Sequence, residues 1–200
     1  MKIPIRRAAA ALALLSLSPL AARAATCYAF DQQVAGTSWP VDASQAVPIS
    51  IGQVRIRPLV LDGVEVAPAS RFFRVAPDGQ HIAGGRAPEM QGKNVAVQIE
   101  PNPAARRISL RFSHQPGPEL GRAAMVEVNG VRHDWRGSFA SLDGKVVGNG
   151  AKAARLAVES SPVGDSLWHS GRLRVTAVER VESFTLGAGE LRLDDVCIEE

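Results

Sequence analysis

Three aspartates and three ring-bearing side chains are the residues of this sequence best suited to chemistry. Asp31 stands near one end of the main body, and Asp194 with Asp195 near the other. Carboxylates brought to one face repel unless they are protonated, hydrogen-bonded or bridged by a cation. Calcium takes such oxygen ligands in flexible geometry, so Asp31, Asp195 and Asp194 form a candidate structural calcium site. The alternative is that these carboxylates bond turn amides or face water. Trp168, His169 and Trp135 are the candidate ligand-binding residues. Sugar rings stack on exposed aromatic faces while polar groups bond their hydroxyls. Trp168, in Ser166-Leu167-Trp168-His169-Ser170-Gly171, falls in a predicted loop. Trp135 shares strand parity with Val131 and His133, which turns it toward a core, and Trp39 precedes Pro40 in an N-terminal turn over a sheet edge. Tryptophan is usually highly buried, so core packing competes with binding for each of them.

Signatures of catalysis are missing from the sequence. His81, His114, His133 and His169 have no zinc-site spacing, and His133 and Asp134, as neighbours on a strand, point to opposite faces. There is no Gly-x-Ser-x-Gly elbow. A glycosidase needs two opposed carboxylates at a set separation, and a pair such as Glu127 and Asp134 has nothing in the sequence to support it. No residue is assigned a catalytic role.

The elements that position these groups start with the cysteines. Cys27 and Cys197 are the only two in the chain of 200 residues. In an oxidising compartment an even pair most simply forms a disulfide. A thiol pair holding metal is the competing reading, and it lacks further ligands nearby. Cys27-Tyr28-Ala29-Phe30-Asp31 and Glu190 to Cys197 both read as strands. Antiparallel pairing with the cysteines opposite each other sets Ala29 against Asp195 and Asp31 against Leu193. Asp31 and Asp195 then share the disulfide's face as diagonal neighbours.

The compartment follows from residues 1–24, which read as a signal peptide with cleavage expected before Ala25. Lys2, Arg6 and Arg7 form a basic start, Ala8 to Leu20 an apolar run, and Ala22-Arg23-Ala24 a small-residue cleavage site. The run is short for a membrane span, and no other stretch of the sequence is long and apolar enough for one. The chain carries 23 basic and 20 acidic residues; without Lys2, Arg6, Arg7 and Arg23, 19 bases face 20 acids and the formal charge passes from +3 to −1. The basic balance belongs to the leader, and nucleic acid is not an expected partner. The remaining 25–200 is expected to be one exported domain, in the periplasm or outside the cell.

Within that domain apolar and polar residues alternate. Val95, Val97 and Ile99, then Ile108, Leu110 and Phe112, then Leu173 and Val175 each mark one face of a strand whose other face is polar and rich in arginine. Further strands are expected over 53–61, 64–67, 71–75, 124–128, 131–136, 154–159 and 180–186, with short helices around 41–46 and 150–155 and a long loop over 76–93. Asn129-Gly130 between two such runs is a hairpin signal; Asp143-Gly144 and Asp62-Gly63 are weaker ones. Many short strands with frequent turns predict an all-β chain, a single antiparallel β-sandwich or barrel with its terminal strands adjacent. Arg55, Arg57, Arg107, Arg111, Arg172 and Arg174 fall on the polar strand faces. They could hold an acidic polysaccharide or a lipid headgroup, but the near-equal count of acids favours neutralisation across strands and a solvated face.

Several short motifs carry a resemblance. Cys27-Tyr28-Ala29-Phe30-Asp31 is followed by Ala35-Gly36-Thr37-Ser38-Trp39-Pro40-Val41, and the chain closes with Gly187-Ala188-Gly189-Glu190-Leu191 and Asp194-Asp195-Val196-Cys197. This resembles a group of poorly characterised secreted bacterial proteins that open with a Cys-x-x-Phe-Asp/Glu-Asp segment and close with GGxELxIDDVC. More distantly it is similar to the jelly-roll sandwiches of carbohydrate-binding modules. Gln32, Trp39, Ala188 and Arg192 depart from the pattern. The resemblance implies a jelly-roll fold and a structural calcium near the sheet ends. The function expected is an exported, non-catalytic module binding carbohydrate or cell-envelope glycan. The alternatives are a structural or protein-interaction role, with an envelope protein as partner, and a glycan hydrolase.

Overall fold

The computed structural model describes residues 24–30, 33–76, 82, 88–115 and 123–200. The expected leader, 1–24, lies outside these apart from Ala24, and so do Asp31 and His81. No helix among the described residues is long and apolar enough to cross a membrane.

The described chain is all-β and antiparallel. Its strands are β1 (Thr26–Tyr28), β2 (Ala46–Ile49), β3 (Gly52–Pro58), β4 (Val60–Leu61), β5 (Val64–Glu65), β6 (Phe72–Ala76) and β7 (Glu89–Pro101). There follow β8 (Ala105–His114), β9 (Ala123–Val128), β10 (Val131–Arg136), β11 (Val146–Val147), β12 (Ala154–Pro162), β13 (His169–Val181) and β14 (Phe184–Glu199). Alternation locates most of them. Asn129-Gly130 makes the expected hairpin between β9 and β10, both residues taking left-handed φ (51° and 78°). Asp62 and Gly63 do the same between β4 and β5. The helix expected at 41–46 is instead a turn leading into β2, and around 150–155 only a single 3-10 turn forms, at Gly150–Lys152. A strand already begins at Glu89, inside the expected loop 76–93.

Two long strands organise the rest. The first part of β14 lies between β9 and β7, in an array that β3, β2 and β10 extend. The second part lies between β7 and β8, in an array that runs on through β13, β12 and β11 and carries β6 on the start of β7. The crossing from one half to the other falls at Gly187-Ala188-Gly189, where small side chains let the strand bend. Beside it on β7, between the pairs Ala188–Val95 and Glu190–Lys93, Asn94 adopts φ 52°. Strands that turn corners in this way let one hydrogen-bonded network form two packed halves.

Between the halves is one core. It joins Val54, Ile56, Val97, Ile99, Val126 and Phe184 of the first half to Ile108, Leu110, Phe112, Leu156, Leu173 and Val175 of the second. A smaller cluster of Leu59, Leu61, Val66, Ala96 and Met125 seats the β4–β5 hairpin on the outer face of the first half. Gly187 is the floor of that seat: a Cβ there would stand 2.9 Å from Leu59 Cδ1 and 3.0 Å from Ala96 Cβ.

The termini close as the alternation and the cysteines require. β1 pairs antiparallel with β14 in the register Thr26–Ile198, Cys27–Cys197 and Tyr28–Val196. The disulfide Cys27–Cys197 spans 170 residues of sequence.

Candidate functional site

The polar face of the second half is where chemistry-bearing side chains gather. Residues opposite one another in an antiparallel ladder share a face, as do residues two apart on one strand. Ser161, Ser170, Ser113, Arg192 and Gln91 thus form one row across β12, β13, β8, β14 and β7. Glu159, Arg172, Arg111 and Asp194 form the next. Trp168, just before β13, has the same parity as Ser170 and Arg172. Its ring lies 5.5 Å from the guanidinium carbon of Arg192, within reach of a cation–π contact.

Part of this face is buried. Glu89 (0% exposed), Asp194 (1%) and Arg192 (4%) form a charged cluster, with Arg192 Nη1 3.4 Å from Glu89 Oε2. The backbone N–H of Ile82 donates to Glu89 Oε1 at 3.1 Å. Burial pushes the Glu89 carboxyl up to about 7, Asp194 adds to the rise, and the Ile82 N–H and Arg192 oppose it. Beside this cluster Ser113 Oγ is buried without a hydrogen-bond partner among the described residues.

The cluster adjoins an open groove of about 630 Å³ lined by Arg111, Glu159, Ser160, Ser161, Ser170, Gly171 and Arg172. Ser160 Oγ is likewise buried without a partner among the described residues, and its strand parity is that of Val158 on the core side. Gly171 allows the close approach of β12, since a Cβ there would overlap the Glu159 carbonyl oxygen.

The three ring residues singled out from sequence do not form one site. Trp168 is a loop residue whose ring meets Arg192 of the outer face, two positions before Ser170 in the groove lining. His169 and Trp135 belong to a chain of rings at the end of the core instead. His169 is 6.1 Å from His114, His114 stacks on Phe139 at 3.9 Å, and Trp135 meets Phe139 edge-on at 5.0 Å. His114 Nε2 accepts the backbone N–H of Phe139 at 3.2 Å. Burial, with the neighbouring His169, pushes the His114 pKa down to about 3, so the ring stays neutral as that bond requires.

Asp194 and Asp195 both adjoin Arg111, the first as its ladder partner and the second through its carboxylate. Asp194 faces the buried cluster. Asp195 is a bulge residue: Asp194 pairs with Arg111 and Cys197 with Ser109, so two residues of β14 stand against Leu110 alone. Asp195 takes φ 46°, and its carboxylate meets Arg111 Nε at 3.1 Å. A guanidinium thus stands against this carboxylate. Asp31 lies outside the described residues, and among these no group of three His, Cys, Asp or Glu gathers as metal ligands would.

Sequence reasoning missed Glu89, Arg192 and the paired serines. Arg192 carried one signal, as a charge where the resembling motif has none. Across strands many arginines are neutralised as expected: Arg55 by Glu100, Arg57 by Glu127, Arg107 by Glu199 and Arg111 by Asp195. In comparisons with family models, curated proteins and solved structures, nothing matches the chain.

Proposed function

We propose that this protein is an exported, non-catalytic module that binds glycan on the outer face of its second half, with Trp168 beside the bound sugar. The observation that carries the reading is an open groove lined by Arg111, Glu159, Ser161 and Arg172 on the strand face whose parity Trp168, two residues before the lining Ser170, shares. Hydroxyl, carboxylate and guanidinium groups at strand spacing offer both donors and acceptors to sugar hydroxyls. The indole supplies the apolar surface that a sugar ring covers. The distant similarity of the terminal motifs to carbohydrate-binding jelly rolls supports the same reading, and the leader-like residues 1–24 with the disulfide support export.

One feature bears on a hydrolase instead. Glu89 has the raised pKa of a general acid. Its two oxygens are engaged by Ile82 and Arg192, and it has no exposed surface, so it supports the sheet face rather than reaching a substrate.

A glycan-array screen of the oxidised protein, with calcium and again with EDTA, tests the proposal. Specific binding that disappears in Trp168→Ala is the expected result. A blank array from protein shown to be folded removes the glycan reading in favour of a protein-interaction role.

A further inference from the structure

Two like charges face each other in the candidate groove. Arg111 on β8 and Arg172 on β13 are direct cross-strand partners on the same face. Like charges in that position destabilise a sheet. Arg111 has its carboxylate, Asp195. Arg172 is exposed and forms no ion pair among the described residues, and Arg174, two positions along the same strand, forms none either. On the first half, by contrast, Arg55 and Arg57 each meet a glutamate. The groove therefore departs from the neutralised pattern at the point where its volume opens.

From this we infer that the groove takes an oxyanion-bearing glycan, with Arg172 as the residue that bonds the anionic group. A guanidinium presents planar, paired donors that match a carboxylate or a sulfate ester. An oxyanion held between Arg172 and Arg111 would relieve their mutual repulsion, and Ser161 stands exposed in the same wall to bond sugar hydroxyls. Glu159, directly opposite Arg172 on β12, disfavours a second anionic group at its own end of the row. This inference rests on the glycan-binding reading above.

The test uses matched polymers immobilised for retention assays: polygalacturonate against its methyl ester, and dextran sulfate against dextran. The expected result is retention on an acidic member with loss on its neutral counterpart. Retention on polygalacturonate alone assigns the anion as a carboxylate, and on dextran sulfate alone as a sulfate ester. Arg172→Gln should weaken that retention about tenfold, as the loss of one charge-assisted bidentate contact does. Arg106→Gln, an exposed arginine outside the groove, removes the same charge and serves as control. Equal losses in the two variants, or equal retention of acidic and neutral polymers, would overturn the inference. Neutral glycan binding that depends on Trp168 but not on Arg172 overturns it while leaving the glycan-binding reading intact. No retention on any glycan by folded protein overturns both.

Discussion

Glu89 and Arg192, 103 residues apart in sequence, meet at 3.4 Å with almost no surface exposed to water. A buried carboxylate beside a single guanidinium, with Asp194 also near, keeps its proton to higher pH than it would in the unfolded chain. Between the usual 4.5 and about 7 the folded state holds a proton on Glu89 that the unfolded state has released. Stability from this group is therefore full below pH 4.5 and is lost as pH rises toward 7. Glu89→Gln removes the dependence while keeping an acceptor for the Ile82 N–H. Urea unfolding should show the variant about 3 kcal/mol more stable than the parent at pH 8 and close to it at pH 4.5. A variant that tracks the parent at both pH values would count against the buried pair.

His114 acts in the opposite direction. Its pKa falls from 6.5 to about 3 on folding, so the unfolded chain binds a proton across that interval and the folded one does not. Stability is then lost as pH falls below 6.5. In the folded protein the His114 ring resonances should stay fixed from pH 7 to pH 4.5, and His114→Gln should flatten the acid limb of stability against pH. A ring that titrates near its ordinary value would contradict the bond from the Phe139 N–H.

Asn129 does more than turn the β9–β10 hairpin. Its Nδ2 donates to the Arg180 carbonyl at 2.7 Å, and its Oδ1 accepts the Glu182 N–H at 2.8 Å and the Ser183 N–H at 3.2 Å. The side chain thus fastens the hairpin to the turn between β13 and β14. Asn129→Ala loses these bonds and strains a left-handed residue, a cost of about 2–3 kcal/mol. Asn129→Gly keeps the turn and loses only the bonds, so it should fall between the two in thermal unfolding.

The Cys27–Cys197 bridge closes a loop of 170 residues. In the chain-entropy account a loop this long contributes roughly 5 kcal/mol before strain, and measured values run lower, about 2–4. The double variant Cys27→Ala/Cys197→Ala should unfold at clearly lower denaturant, with the shift matched by reduction of the parent. A midpoint unchanged by either treatment would mean that the β1–β14 pairing holds the ends without help.

Much of this architecture was legible because strands announce themselves locally. Ile108, Leu110 and Phe112 alternate with arginine and serine, and the structure buries them as one face of β8. The cysteines gave the register of β1 on β14, and Asn129-Gly130 gave the hairpin. Alternation does not say which strand lies next door. Glu89 and Arg192 are explained by each other only across strands, so Glu89 read as part of a loop and Arg192 as an odd charge. The bulge at Asp195 was not legible, because period-two alternation assumes an unbroken strand and a left-handed residue resets it. The loop position of Trp168 was legible, whereas Trp135 and His169 turn toward Phe139 and His114, contacts that need the folded chain.

Every strand that β14 touches (β1, β7, β8 and β9) precedes it in the sequence. Before residues 184–199 are in place, the network falls into separate ribbons: β2–β3–β7–β6, β9–β10, and β8–β13–β12–β11. None of these can enclose the shared core, since each supplies one wall at most. A chain made from its N-terminus thus lacks the strand that joins its sheet ribbons until residues 184–199 are added. The strand that joins the ribbons also carries Cys197, so the covalent lock becomes available only with the segment that completes the sheet.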